Sequence, residues 1–169
     1  ENQNTKLILK MRNCDEFSSY YDKLLSLVDG DPRIEIINET LSPIEIESLI
    51  RNSDVFISLH RAEGFGLHLA EAMRAGTITI ATGWSGNLEF MNKYNSYLIS
   101  YNLIQVYDTE SIYTINAANV WADASVSNAA DILNKIQSNE SQSGHLIKQA
   151  QQDIKNNLNA LVYKQALNG

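Results

Sequence analysis

Disulfide-stapled, metal-clustered and membrane-spanning proteins are each excluded by what this sequence withholds. One cysteine, Cys14, in 169 residues leaves no internal disulfide and no cysteine-built zinc site. The three histidines, His60, His68 and His145, are scattered, without an HExxH motif or a ligand cluster. No apolar run approaches the roughly 18 residues of a membrane-spanning helix, and the N-terminus lacks the charged-then-apolar layout of a signal peptide. Basic charge is also short. Thirteen Lys+Arg against 20 Asp+Glu give a formal net charge of −7, which argues against a general nucleic-acid or anionic-membrane surface. There is no proline-rich linker and no internal repeat. The chain opens on Glu1 rather than methionine, and the expectation is a piece excised from a longer protein. A soluble domain of a reducing compartment, cytoplasmic, is the default.

What is present suits one domain with a core, residues 1–169, of which 44% are hydrophobic. Short β-rich runs alternate with longer amphipathic ones. Lys6–Lys10 reads as a buried strand. A helix is expected over 15–29, with Asp15 as N-cap, Tyr20, Leu24, Leu25 and Val28 at helical spacing, and Gly30 at the C-cap. Ile34–Ile37 is a second strand. Ser42-Pro43-Ile44-Glu45 is a capping box with proline at the first helical position, so a helix runs from about 43 to 52. Val55–Leu59, Thr77–Ala81 and Tyr97–Ile99 read as further strands, with helices over 66–75 and near 86–93. Residues 101–122, rich in Tyr, Asn and Thr and containing Trp121, read as an irregular functional loop or a sheet-edge excursion. Helical spacing returns over 124–137, and a polar break at 137–144 precedes a C-terminal helical region from 145 to the chain end at 169. Its apolar face (Leu146, Ile147, Ile154, Leu158, Leu161, Val162) is expected to serve mostly this domain's own core.

Strand–helix alternation with short loops implies an α/β fold. The expectation is a Rossmann-like parallel sheet of about five to six strands with helices on both faces. Ligands then bind outside the carboxyl ends of the strands. Five of the eight glycines, Gly64, Gly66, Gly76, Gly83 and Gly86, fall between residues 64 and 86, at that edge. A glycine turn feeding a helix offers free N–H groups and the positive end of the helix dipole. Glu63-Gly64-Phe65-Gly66-Leu67 therefore reads as an anion cradle, with Gly83-Trp84-Ser85-Gly86-Asn87 as a second turn beside it. No Walker Gly-Lys-Ser/Thr exists, and a GxGxxG fingerprint begun at Gly64 and Gly66 meets Leu69. Glu63 and Glu71 flank the cradle. A carboxylate repels phosphate but bridges vicinal hydroxyls with charge-assisted bonds, so the pair suits the ribose and sugar ends of a nucleoside diphosphate sugar. The competing reading of Glu71 is a solvated helix residue paired with Arg74 at i+3.

Three segments carry a family likeness: Asp54-Val55-Phe56-Ile57-Ser58, then Glu63-Gly64-Phe65-Gly66-Leu67-His68-Leu69-Ala70-Glu71-Ala72-Met73, then Gly76-Thr77-Ile78-Thr79-Ile80-Ala81-Thr82-Gly83. They resemble the family-4 retaining glycosyltransferases, enzymes of two Rossmann-like domains (the GT-B architecture). The E-x7-E motif is Glu63 and Glu71; Ile78 stands where the family's Gly-x-Pro-Val-Ile segment has proline. Ser58-Leu59-His60-Arg61-Ala62 and Gly83 through Met91 resemble the bacterial transferases that build surface polysaccharides.

The resemblance covers about residues 6–135 and implies the donor-binding half of such an enzyme, one that transfers a hexose to a saccharide or lipid-linked saccharide hydroxyl with retention. It implies that Glu71 binds the ribose and that Glu63 is the catalytic-site carboxylate facing the donor sugar. Gly64, Phe65, Gly66 and Leu67 hold sugar and diphosphate through the backbone. Lys10 supplies one diphosphate cation, with Arg61, His68, Gly83 and Gly86 as weaker donor-site candidates. His60 reads as structural, and Trp84 as packing or stacking on a sugar. Neither metal nor cofactor is expected. The implied partner is a missing N-terminal acceptor-binding domain, through which the protein could sit at the inner face of the membrane. Alternatives are a non-catalytic sugar-nucleotide-binding domain and a dinucleotide-binding Rossmann domain.

Overall fold

The structure, a computed structural model, describes residues 5–14, 18–106, 119–138 and 140–158. The chain divides into two compact units, Glu1–Ile46 and Glu47–Gly169.

In the first unit, β1 (Leu7–Lys10) and β2 (Ile34–Ile37) pair in parallel, Leu7 opposite Ile34 and Lys10 opposite Ile37. Parallel neighbours need a crossover, and α1 (Ser18–Val28) supplies it. The expected N-cap Asp15 lies outside the described residues. Past α1 the chain turns at Asp29 and Gly30, both with positive φ (35° and 70°). The next turn is closed by Asp31, whose carboxylate accepts from the Arg33 backbone N–H and guanidinium. Those Arg33 hydrogen bonds, the side-chain ones first, lower the Asp31 pKa to about 2. The expected capping box opens α2 (Pro43–Arg51): the Ser42 N–H donates to Glu45 Oε2 at 2.7 Å, and the Glu45 N–H donates to Ser42 Oγ at 3.3 Å.

The second unit is three-layered. Strands β3 (Val55–Ser58), β4 (Ile78–Thr82) and β5 (Tyr97–Ile99) form a parallel sheet in that order. Side chains alternate across a strand, and here both faces are apolar. Val55, Ile57, Ile78, Ile80, Tyr97 and Ile99 point to one side, where Ala129, Ile132 and Ile136 of α4 (Val126–Ser138) cover them. Phe56, Ala81 and Leu98 belong to the other core. There Leu69, Ala70 and Met73 of α3 (Leu67–Ala75) meet Ala150 and Ile154 of α5 (Glu140–Asn157). The parallel pairing is as expected, but it forms sheets of two strands (β1–β2) and three (β3–β4–β5), fewer than the five to six expected of one sheet.

Three local expectations are corrected. The expected helix near 86–93 is a single 3-10 turn, Gly86–Glu89. The polar stretch 137–144 does not break the chain for long: α5 begins at Glu140, and Ser143, fully buried, places its hydroxyl 3.3 Å from that of Tyr97. Polar residues at helical positions hide the periodicity that apolar ones would show. Residues 101–122 hold an antiparallel pair, β6 (Tyr101–Gln105) with β7 (Val120–Ala124). Residues 107–118, Leu161 and Val162 lie outside the described residues. No helix among the described residues is long and apolar enough to cross a membrane.

Candidate functional site

Adjacent parallel strands β3 and β4 end side by side at Ser58 and Thr82, Ser58 being opposite Ala81. The loops that leave them, 59–66 and 83–86, are therefore neighbours, and a set of hydrogen bonds straps one to the other. The Thr82 hydroxyl donates to the His60 carbonyl at 2.8 Å. His60 Nε2 lies 3.0 Å from the Trp84 carbonyl. A carbonyl only accepts, so Nε2 carries the proton, and in the neutral ring Nδ1 then accepts from the Ser58 hydroxyl at 3.2 Å. His60 is thus a structural tie, as the sequence suggests. The Ser85 hydroxyl donates to the Glu63 carbonyl at 2.7 Å, and the Gly86 N–H donates to the same oxygen at 3.0 Å.

The approach at Gly86 is so close that a Cβ there would sit 2.0 Å from the Gly64 carbonyl oxygen. Gly66 is needed for its backbone: it caps α3 at φ 90°, in the left-handed region that favours glycine. Gly64, by contrast, has nothing within 4 Å of a built Cβ.

Glu63 precedes α3, and Glu71 lies in its second turn. The Glu63 carboxylate folds back and accepts the Gly66 N–H through Oε1 at 3.0 Å. One of the amides assigned to the anion cradle is therefore already bonded within the protein. The N-cap residue is Gly66, which has no side chain of its own to cap α3. The first intrahelical bond runs from the Ala70 N–H to the Gly66 carbonyl, which leaves the first-turn N–H groups of Leu67 and His68 pointing outward. Leu67 itself is exposed, 61% of its surface being accessible. Phe65 is turned the other way. Its ring lies 5.2 Å from that of Phe90 and packs against the core, so the turn is anchored by its aromatic residue and open at its backbone.

Glu71 does not pair with Arg74. Its Oε2 lies 2.8 Å from His68 Nδ1, and Arg74 instead faces Glu47 at 3.5 Å. Arg61 is exposed, and its guanidinium carbon lies 5.3 Å from the centre of the Trp121 ring. The Arg61 carbonyl accepts from the Ala122 N–H at 2.9 Å, which ties the loop after β3 to β7. Trp84 is 5.5 Å from Tyr101 of β6, ring to ring. The β6–β7 pair thus borders both glycine loops, and Trp121, Tyr101 and Ser85 are site-edge residues that strand and helix periodicity cannot reveal. Asn87, fully buried, donates to the Thr82 carbonyl while its Oδ1 has no partner. Lys10 ends β1 in the first unit, where its ammonium donates to the Met11 carbonyl. Among the described residues no three of His, Cys, Asp and Glu group as metal ligands would.

This geometry has relatives. A family model described as "Glycosyl transferases group 1" matches residues 33–153. Among solved structures, the chain is similar to Anabaena Alr3699/HepE in complex with UDP (15% identity, TM-score 0.71, covering 98% of this chain and 40% of that one). It is similar to a glycosyltransferase from Rickettsia africae ESF-5 (16%, TM-score 0.68, 98% and 39%). A third is the C-terminal domain of the glycosyl transferase group 1 family protein LpcC from Francisella tularensis (19%, TM-score 0.61, 87% and 65%). At these identities the likeness carries the fold. The chain spans about two fifths of the length of the first two. No curated protein matches it in sequence.

Proposed function

The chain belongs to the glycosyl transferases group 1 family, and from that premise we propose that it is the donor-binding half of a family-4 retaining glycosyltransferase. It would take a nucleoside diphosphate sugar and pass the hexose to a hydroxyl of a saccharide or lipid-linked saccharide, with retained configuration, in the synthesis of a bacterial surface polysaccharide. One observation carries the reading: two carboxylates bracket the N-terminus of α3, Glu63 bonded to the N–H of the capping Gly66 and Glu71 reaching back to His68 in the first turn. The N-terminus supplies partial positive charge for a diphosphate, and each carboxylate supplies an acceptor for hydroxyls on either side of it. Alr3699/HepE, solved with UDP and with UDP-glucose, shares the fold.

In the reaction, the bond from the anomeric carbon to the diphosphate oxygen breaks. The negative charge that develops on the leaving diphosphate is stabilised by the α3 dipole and its outward N–H groups. Glu63 faces the donor sugar and Glu71 the ribose, so that the sugar is held for attack from the face the diphosphate leaves. The acceptor is supplied by an N-terminal domain outside this sequence, through which membrane attachment would also come. No step uses a metal or a cofactor.

Calorimetric titration of the chain with UDP, GDP, ADP and NAD, beside the Glu71→Ala variant, tests this. Binding of one nucleoside diphosphate that Glu71→Ala abolishes is the expected result. Binding of NAD alone would overturn the reading.

A further inference from the structure

Ser85 lies at φ 83°, ψ −155°. In that backbone region a side chain is pressed against the neighbouring carbonyl oxygens, and glycine is almost the sole occupant. The sequence nevertheless places serine there, with glycine on the following residue. Such a conformation persists only where the surroundings over-determine it, and the surroundings here are specific. The Ser85 hydroxyl meets both backbone groups of Glu63: it donates to the carbonyl at 2.7 Å and accepts from the N–H at 3.3 Å. On its two sides, the Trp84 carbonyl is held by His60 and the Gly86 N–H is given to Glu63. Three consecutive residues are therefore fastened to the loop after β3, and the fastening at Ser85 falls on the residue whose carboxylate stands at the α3 N-terminus. Glycine would relieve the backbone but bring no hydroxyl; alanine would keep the strain and also bring none.

We propose that Ser85 is a positioning residue for Glu63. It holds the Glu63 peptide through both hydrogen-bonding groups, so that Oε1 closes on the Gly66 N–H and Oε2, which has no partner among the described residues, is presented to a donor-sugar hydroxyl. The proposal rests on the donor-site reading only for the identity of what Oε2 meets. The positioning itself is a property of the unliganded chain.

The test uses the chain with Ser85→Gly and Ser85→Ala. In the absence of ligand, amide hydrogen exchange at Gly66 is followed by NMR. Gly66 is two bonds' worth of contact away from Ser85, through Glu63, so its exchange reports the carboxylate's position. At least tenfold faster exchange at Gly66 in both variants is expected, with Ser85→Gly melting above Ser85→Ala because its backbone is relaxed. Unchanged exchange at Gly66 overturns the proposal. Calorimetry with UDP and UDP-glucose supplies the second readout. Ser85→Gly should lose at least fivefold of the wild-type preference for UDP-glucose over UDP. A wild-type preference retained in Ser85→Gly also overturns the proposal. If the wild-type chain binds neither nucleotide while Gly66 exchange still responds to Ser85, the donor-site reading fails and the positioning of Glu63 stands.

Discussion

His68 Nδ1 sits 2.8 Å from Glu71 Oε2, one turn apart on α3. The carboxylate assigned to the ribose is thus already engaged in the unliganded chain, by a neighbour that is itself largely exposed. An exposed pair of this kind is worth about 0.2–1 kcal/mol, which corresponds to at most about fivefold in an equilibrium constant. A ribose must displace it. His68→Ala should therefore tighten nucleoside diphosphate binding by up to about fivefold, read by calorimetry. A clear loss of affinity would instead make His68 a contact to the ligand.

The two glycine loops predict opposite responses to the same substitution. At Gly86 an added methyl would collide with the Gly64 carbonyl, a backbone atom that cannot swing aside. Gly86→Ala should cost about 1–3 kcal/mol or more in chemical denaturation. Gly64→Ala, with open space around it, should stay within about 0.5 kcal/mol of wild type. Equal losses at the two positions would contradict the loop packing.

Asp31, in the first unit, predicts a pH effect. Its carboxyl titrates near 2 in the folded chain against an ordinary 3.8 because Arg33 bonds its charged form. A depressed carboxylate stabilises the fold above the unfolded value, and that contribution is lost as pH falls from 3.8 toward 2. In Arg33→Gln the Asp31 carboxyl should titrate back toward 3.8, observable in its NMR chemical shift, and the first unit should lose less stability on acidification. An Asp31 titration unmoved by Arg33→Gln would show that another group holds it down.

The cap of α2 gives a local stability prediction. Ser42 Oγ accepts the Glu45 N–H, and Glu45 returns the bond to the Ser42 N–H. Ser42→Ala removes the first of these and should destabilise the chain by about 1 kcal/mol, measured as a shift in the urea midpoint.

Those elements whose signal is local were legible from the residues alone. β2 and β5 have the expected ends, β3, β4 and α2 shift by one residue, and the capping box forms as its four letters require. Of the apolar face expected in the C-terminal helical region, Ile154 lies in the core and Leu158 packs against it. Tertiary context decided the remainder. Polar 140–144 is helix, with Ser143 buried and its hydroxyl meeting that of Tyr97. The β6–β7 pair is antiparallel in a sequence whose other strands run parallel, and its long separation hides the partnership. At the site, the glycines and the two glutamates stood out by position. What each binds in the unliganded chain, Gly66 for Glu63 and His68 for Glu71, depends on rotamers that no spacing encodes. Ser85 was visible only as one letter of a glycine-rich turn.

The chain's two tryptophans, Trp84 and Trp121, both border the glycine loops, one against Tyr101 and the other beneath Arg61. Its tryptophan emission, excited at wavelengths that tyrosine does not absorb, is therefore an optical report on this edge of the sheet. A ligand that draws the Arg61 cation off the indole, or shifts the loop that carries Trp84, changes emission without any label. The protein supplies its own binding assay.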